Sequence, residues 1–199
     1  MNAKIRMAEE KDIEEILGIY VPYIKDSTIT FEYEVPTMEE FKKRFYNVKE
    51  NYPYLVCTID NKVVGYAYSS RNAERAAYMW DVDFSIYIND SYLRYGIGKA
   101  FYTALIEISK LQNIKNVYGG VTENNIKSEK LHEYFGFKKA GVFHKTGYKF
   151  GKWLDVIWYE KDINESDEAP KPIISIKDIN SRDLQNILTN AEKLIRTIY

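Results

Sequence analysis

At 199 residues and 45% hydrophobic content the chain is long enough for one domain with a true core and too apolar to be disordered. A formal net charge of −1, with basic residues spread along the chain rather than gathered in a run, argues against nucleic acid as the main partner.

The opening "MNAKIRMAEEKDIEEI" lacks the apolar stretch of a signal peptide, and within it "KIRMA" reads as a first strand. Ile13, Ile16, Leu17 and Tyr20 then mark one face of a helix, with Pro22 near its end. "STITFEYEVPT" is irregular to extended, and Thr37 with Glu40 makes a capping box for a helix carrying Phe41 and Phe45. "YPYLVCTI" and "KVVGYAYSS" form a hairpin about Asp60-Asn61. Cys57, the lone cysteine, leaves no disulfide framework or thiolate metal site and reads as a buried small residue rather than a nucleophile. "AAYMWDVDFSIYI" is expected as a third long strand. A loop holding Gly96 and Gly98 leads into a helix with Phe101, Ala104, Leu105, Ile108 and Leu111 on one face. "KNVYGGV" is a further strand, and "NNIKSEKLHEYFGF" a helix closing at Gly136. "KKAGVFHKTGYKF" and "WLDVIWYEKD" are two final strands separated by "GKW".

These elements predict an α+β fold, a mixed sheet with helices on both faces, over residues 1–163. Residues 164–172, "NESDEAPKP", are polar with two prolines and read as a linker. Residues 173–199 are expected to form a small strand-helix appendage, "IISI" followed by a helix bearing Leu184, Ile187, Leu188, Leu194 and Ile195. That apolar stripe must dock on the main body or on another subunit. No apolar run approaches the ~20 residues of a membrane span, so a cytoplasmic protein without a membrane partner is expected.

The segment "YLRYGIGKAFYTAL" places two glycines where a loop becomes a helix. Unpaired N–H groups and the helix dipole suit a phosphate or diphosphate there, with Arg94 and Lys99 adding positive charge. The plainer alternative, glycines for tight packing at a helix start, stands beside it. Neither familiar nucleotide motif fits. Gly98-Lys99 is followed by Ala100, and the residue three after Gly98 is Phe101 rather than glycine.

The stretch resembles the acetyl-coenzyme A motif of the GCN5-related N-acetyltransferases (GNAT), written V/I-x4-Q/R-x-x-G-x-G/A. Ile88 takes the first place, Gly96 and Gly98 the last two, and Leu93 departs from the Q/R place. "TFEYEVPT", "RAAYMWDVDFSIYI", "NIKSEKLHEYFGF" and "GYKFGKWLDV", in that order, look like the branch containing phosphinothricin and methionine sulfoximine acetyltransferases. The resemblance covers residues 3–162 and implies the GNAT fold, acetyl-CoA as cosubstrate, a small-molecule amine as acceptor, and a homodimer. It implies that Ser85, Ile86, Tyr87 and Ile88 run along the pantetheine arm of the cofactor. Leu93, Arg94, Tyr95, Gly96, Ile97, Gly98 and Lys99 would surround the diphosphate. Asn125 and Ser128, an N-x-x-S pair, would reach the pantetheine chain, although asparagine is also an ordinary N-cap.

Asp83 stands in the place of the family's general base, where aspartate is unusual; its plainer reading is a solvated strand-end carboxylate. His132 stands where a thiolate-protonating acid is needed, with Tyr134 as fallback; its plainer reading is a structural histidine. For the acceptor the resemblance points to Phe31, Glu32, Arg75, Tyr78 and Lys149, with a surface salt bridge as the alternative for Arg75. Trp153 and Asp155 brace the last strands or a dimer contact. The only two histidines, His132 and His144, lack metal-ligand spacing, so no metal is expected. The implied chemistry is direct attack of the amine on the thioester in a ternary complex. The same chemistry on a protein N-terminus, polyamine or antibiotic, or a non-catalytic CoA-binding sensor, are the competing readings.

Overall fold

The computed structural model describes residues 3–164, 166 and 168–196. Its first half is organised by local turn and cap chemistry. Strand β1 (Ala3–Met7) feeds helix α1 (Ile13–Asp26), whose buried face carries Ile13, Ile16, Leu17, Tyr20 and Ile24. Pro22 lies inside α1, with a further turn of helix after it, rather than near the end. Asp12 at the entry to α1 is buried and takes both guanidinium arms of Arg6, at 2.6 and 2.7 Å.

Helix α2 (Met38–Lys49) starts at the expected capping box. Glu40 N–H donates to the Thr37 hydroxyl, and Thr37 N–H donates to the Glu40 carboxylate. Strands β2 (Tyr54–Ile59) and β3 (Lys62–Arg71) meet at Asp60 and Asn61, both left-handed with φ of 50° and 66°, the backbone that a two-residue hairpin of matching twist requires.

Strand β4 (Asp81–Ile88) is shorter than expected, because Ala76–Tyr78 form a 3-10 turn. The ladder with β3 ends at Arg71↔Val82, so residues 76–79 have no neighbouring strand and bond locally, Tyr78 N–H to Arg75 and Met79 N–H to Ala76. Helix α3 (Ile97–Leu111), strand β5 (Asn116–Thr122) and helix α4 (Ile126–Tyr134) follow, and α4 stops at left-handed Gly136 as expected. The final strands are β6 (Lys138–Lys149) and β7 (Lys152–Asp162), with their turn at Phe150-Gly151, both at positive φ.

The seven strands form one sheet in the order β1-β2-β3-β4-β5-β7-β6, in which only β4 and β5 run parallel. Both faces are covered. Strand β2 sends Tyr54 and Val56 to the cluster beneath α1 and α2, and Leu55, Cys57 and Ile59 to the cluster beneath α3. Two buried faces explain why this strand is buried at every position and apolar at all but Thr58. Burial pushes the Cys57 thiol up to about 12, which leaves it inert.

Helix α5 (Ser181–Glu192) docks on α3 and β1 of the same chain. The expected "IISI" strand is absent. Ile174 bonds through its N–H to the Gln112 carbonyl and through its own carbonyl to the Gln112 side chain at 2.9 Å, while Pro172 accepts from Asn113 and Lys171 from Trp80. Side chains and a helix end hold this segment, so no ladder forms. Leu194 and Ile195 lie beyond the end of α5. Of the expected linker, Glu165 and Asp167 lie outside the described residues. Among the described helices none is long and apolar enough to cross a membrane.

Candidate active site

Strands β4 and β5 pair over only three residues, ending at Asp83↔Tyr118. From there β4 follows β3 as far as Gly65↔Ile88, while β5 follows β7 to Thr122↔Val156. The sheet therefore opens into a V, and the space between its arms is a cleft of about 700 Å³, closed by the starts of α3 and α4. Asn89 N–H reaches Val64 on β3, so by strand alternation the main-chain groups of Ile88 and Ile86 turn toward the cleft. The Tyr23 hydroxyl fills that role at Ile88, donating to its carbonyl at 2.6 Å and accepting from its N–H at 3.2 Å. At Ile86 the opened sheet offers no neighbouring strand.

At the mouth of the V stands the glycine turn. Arg94 and Gly96 are left-handed, at φ of 70° and 89°. Among the described residues no acceptor takes the N–H groups of Arg94, Tyr95, Gly96, Ile97, Gly98 or Lys99. Successive free amides at a helix N-terminus form an anion-binding concavity. Among the described residues, Arg94, Lys99, Lys127 and Arg196 line the cleft against one acid, Asp90, and the Lys99 ammonium sits 3.4 Å over the Tyr134 ring.

The two glycines have different reasons. A Cβ at Gly98 would meet Leu131 and Ile88 at ordinary contact distance, whereas one at Gly96 would run into the Leu194 carbonyl. Leu93 lines the cleft, but its N–H closes a turn onto Asp90 at 3.3 Å.

Opposite the turn, α4 delivers His132 into the cleft wall. Its Nδ1 lies 2.8 Å from the Ser128 carbonyl and must carry the proton there, so Nε2 accepts from the Tyr102 hydroxyl at 2.7 Å. Burial holds the imidazole below its ordinary pKa, hence neutral at pH 7, and raises the Tyr102 phenol. The ring stacks on Tyr159 and leaves no room for a side chain at Gly119. Asn125 accepts Ser128 N–H at 3.3 Å and so caps α4 while lining the cleft.

Asp83 is the last β4 residue paired with β5 and sits just before the opened stretch. Burial raises its pKa, the Asn72 amide at 3.0 Å opposes that rise, and Asp81 adds to it.

Every residue expected along the cofactor lines the cleft except Tyr95, whose carbonyl instead accepts from Arg196 N–H. The residues expected at the acceptor lie outside that cleft. Glu32 accepts from Tyr20 and from Arg44 at 2.7 Å, and the Phe31 ring packs on Gly147. Lys149 is buried and donates to the Ile24 and Thr30 carbonyls, which ties the end of α1 to the following loop. Arg75 and Tyr78 are exposed on the β3–β4 connection. Sequence reasoning missed Tyr23, Tyr102, Gly119 and Arg196; of these only Gly119, in a Gly-Gly pair within a strand, carries a local signal.

Residues 5–158 match the family described as acetyltransferase (GNAT) domain. The phosphinothricin N-acetyltransferase of Streptomyces viridochromogenes is 31% identical over 176 residues, covering 88% of this chain and 96% of its own. The L-methionine sulfoximine/L-methionine sulfone acetyltransferase of Pseudomonas aeruginosa is 28% identical over 173 residues, covering 85% and 100%. A solved GNAT superfamily phosphinothricin acetyltransferase from Sinorhizobium meliloti, in complex with AcCoA, is 30% identical with a TM-score of 0.83, covering 90% and 98%. With its sheet opened between β4 and β5 and a glycine turn at the mouth, the chain belongs to the GNAT acetyltransferases.

Proposed function

We propose that the protein transfers an acetyl group from acetyl-CoA to the amine of a small amino acid or analogue of the phosphinothricin or methionine sulfoximine type. The observation that carries this reading is the run of unpaired amides from Arg94 to Lys99 at the end of an opened strand, a cradle that suits a diphosphate with a long arm attached. The AcCoA complex of the Sinorhizobium protein and the names of the relatives support the same donor and acceptor class.

In this reading the turn amides would hold the diphosphate and the Ile86 main chain the pantetheine arm, with Asn125 beside it. Bound there, acetyl-CoA supplies an activated acetyl thioester. Asp83, whose pKa burial raises and which is so made a better base, takes the ammonium proton of the acceptor through a water, leaving a free amine. Tyr102 and His132 form a proton path at the cleft wall: after attack, the proton that the acceptor nitrogen must still lose passes to the Tyr102 hydroxyl as that hydroxyl hands its own proton to Nε2, and the reverse shift delivers a proton to the departing sulfur. The buried, unreactive Cys57 supports direct attack rather than an acyl-enzyme. Glu32, Arg75 and Tyr78 lie off this cleft and stay as the proposed acceptor contacts. Holding both reactants together supplies much of the rate.

The test is thiol release from acetyl-CoA with a panel of amino acids that includes phosphinothricin and methionine sulfoximine. Acceptor-dependent release is expected; release no faster than hydrolysis with every amine would leave only a CoA-binding sensor. A homodimer belongs to the same reading, supported by the exposed Phe143, Tyr148, Phe150 and Trp153 on the β6–β7 edge. Sedimentation velocity giving a monomer at micromolar concentration would remove it.

A further inference from the structure

We infer that the C-terminal arm completes the cofactor cleft, and that Arg196 is a phosphate-binding residue for acetyl-CoA. This rests on the reading of the cleft as the acetyl-CoA site.

Helix α5 is anchored before the arm begins. Leu188 and Ala191 are buried in the main core, and the Glu192 carboxylate accepts the Ile5 N–H of β1 at 2.9 Å. The chain then turns through Leu194 and Ile195, whose N–H groups bond back to Ala191 and Glu192 at 3.0 Å. It lands on the glycine turn itself. Arg196 N–H donates to the Tyr95 carbonyl at 2.8 Å, and the Leu194 carbonyl lies so close to Gly96 that a Cβ there would collide with it. Leu194 and Arg196 thereby join the cleft lining beside the unpaired amides.

Among the described residues no carboxylate pairs with Arg196, and the residue is exposed. A guanidinium with free donors beside Arg94 and Lys99 is suited to fork onto a phosphate ester. The arm lies beyond residues 5–158, the part that matches the family model, so the appendage carries this contact. CoA presents two such groups, the diphosphate and the phosphate on its ribose, and both share the chemistry that Arg196 would read.

Calorimetry on the full-length protein tests this with CoA, dephospho-CoA and two variants. Arg196→Gln is expected to weaken CoA binding about tenfold, with a shallower salt dependence and an unchanged melting temperature. Arg182→Gln, at the exposed start of α5, controls for net charge and should bind as wild type. If the loss persists with dephospho-CoA, Arg196 reads the diphosphate; if it disappears, the ribose phosphate. Arg196→Gln binding CoA as tightly as wild type overturns the inference. A wild-type chain that does not bind CoA overturns the cleft reading instead, and the two failures are distinct.

Discussion

Asp83→Asn is expected to lower kcat by about 10²–10⁴-fold, with CoA affinity intact and a melting temperature at pH 7 that is unchanged or higher. The two effects have opposite sign for one reason. Burial on β4 and the neighbouring Asp81 raise the Asp83 pKa, so the folded chain binds this proton more tightly than the unfolded chain does. Stability from that difference is fully present below the unfolded aspartate pKa of about 3.9 and is lost as pH rises through the higher folded value. At neutral pH the ionised carboxylate is therefore a cost to the fold, and asparagine removes it while retaining a partner for the Asn72 amide. A residue serving only the fold would show the reverse pattern. In wild type, kcat/KM should fall on the acid side as Asp83 protonates, and this limb should vanish in the variant. Near-normal turnover with an intact acid limb would remove Asp83 from the mechanism.

Local chemistry made much of the fold legible. The Thr37–Glu40 box, the Asp60-Asn61 turn and the Gly136 stop each involve residues a few positions apart, and each forms as expected. What failed depended on neighbours distant in sequence. The apolar letters of "AAYMW" look like strand, yet β3 ends at Arg71 and offers them no partner. "IISI" looks like strand too, but Gln112 takes both main-chain groups of Ile174 and the Asn113 side chain holds the preceding Pro172.

The site divides the same way. The motif residues from Ser85 to Lys99, Tyr95 apart, share one cleft because a strand end and a helix start fix their spacing. Tyr23 acts on Ile88 from 65 residues away, and Arg196 arrives only through the docking of α5, so neither has a local signature. Gly96 is the most instructive position. The sequence offered ligand approach and tight packing as alternatives, and the backbone combines them: the amide is free, and the Cα face is covered by the Leu194 carbonyl.

Gly119→Ala is expected to reduce kcat as much as His132→Ala does, by about 10²-fold, and the double variant should be no worse than either single. A methyl group at 119 would occupy the place of His132 Nε2. The imidazole has nowhere to retreat, because Tyr159 stacks on its face at 4.9 Å, the Phe137 ring stands against it at 5.1 Å, and Ser128 holds Nδ1. The ring is therefore displaced from the Tyr102 hydroxyl, and the proton path breaks as it does when the ring is deleted. Two changes that remove one function do not add. Tyr102→Phe separates packing from proton transfer, since it keeps the ring and loses only the hydroxyl. It should share the kcat loss without the drop in melting temperature that the other two show. Burial lowers the His132 pKa, so the kcat limb it controls in wild type lies on the acid side of an ordinary histidine's. All three variants should lose that limb while the KM for acetyl-CoA stays near wild type. Multiplicative losses in the double variant, or an unchanged pH profile in Tyr102→Phe, would mean that His132 and Gly119 serve packing alone.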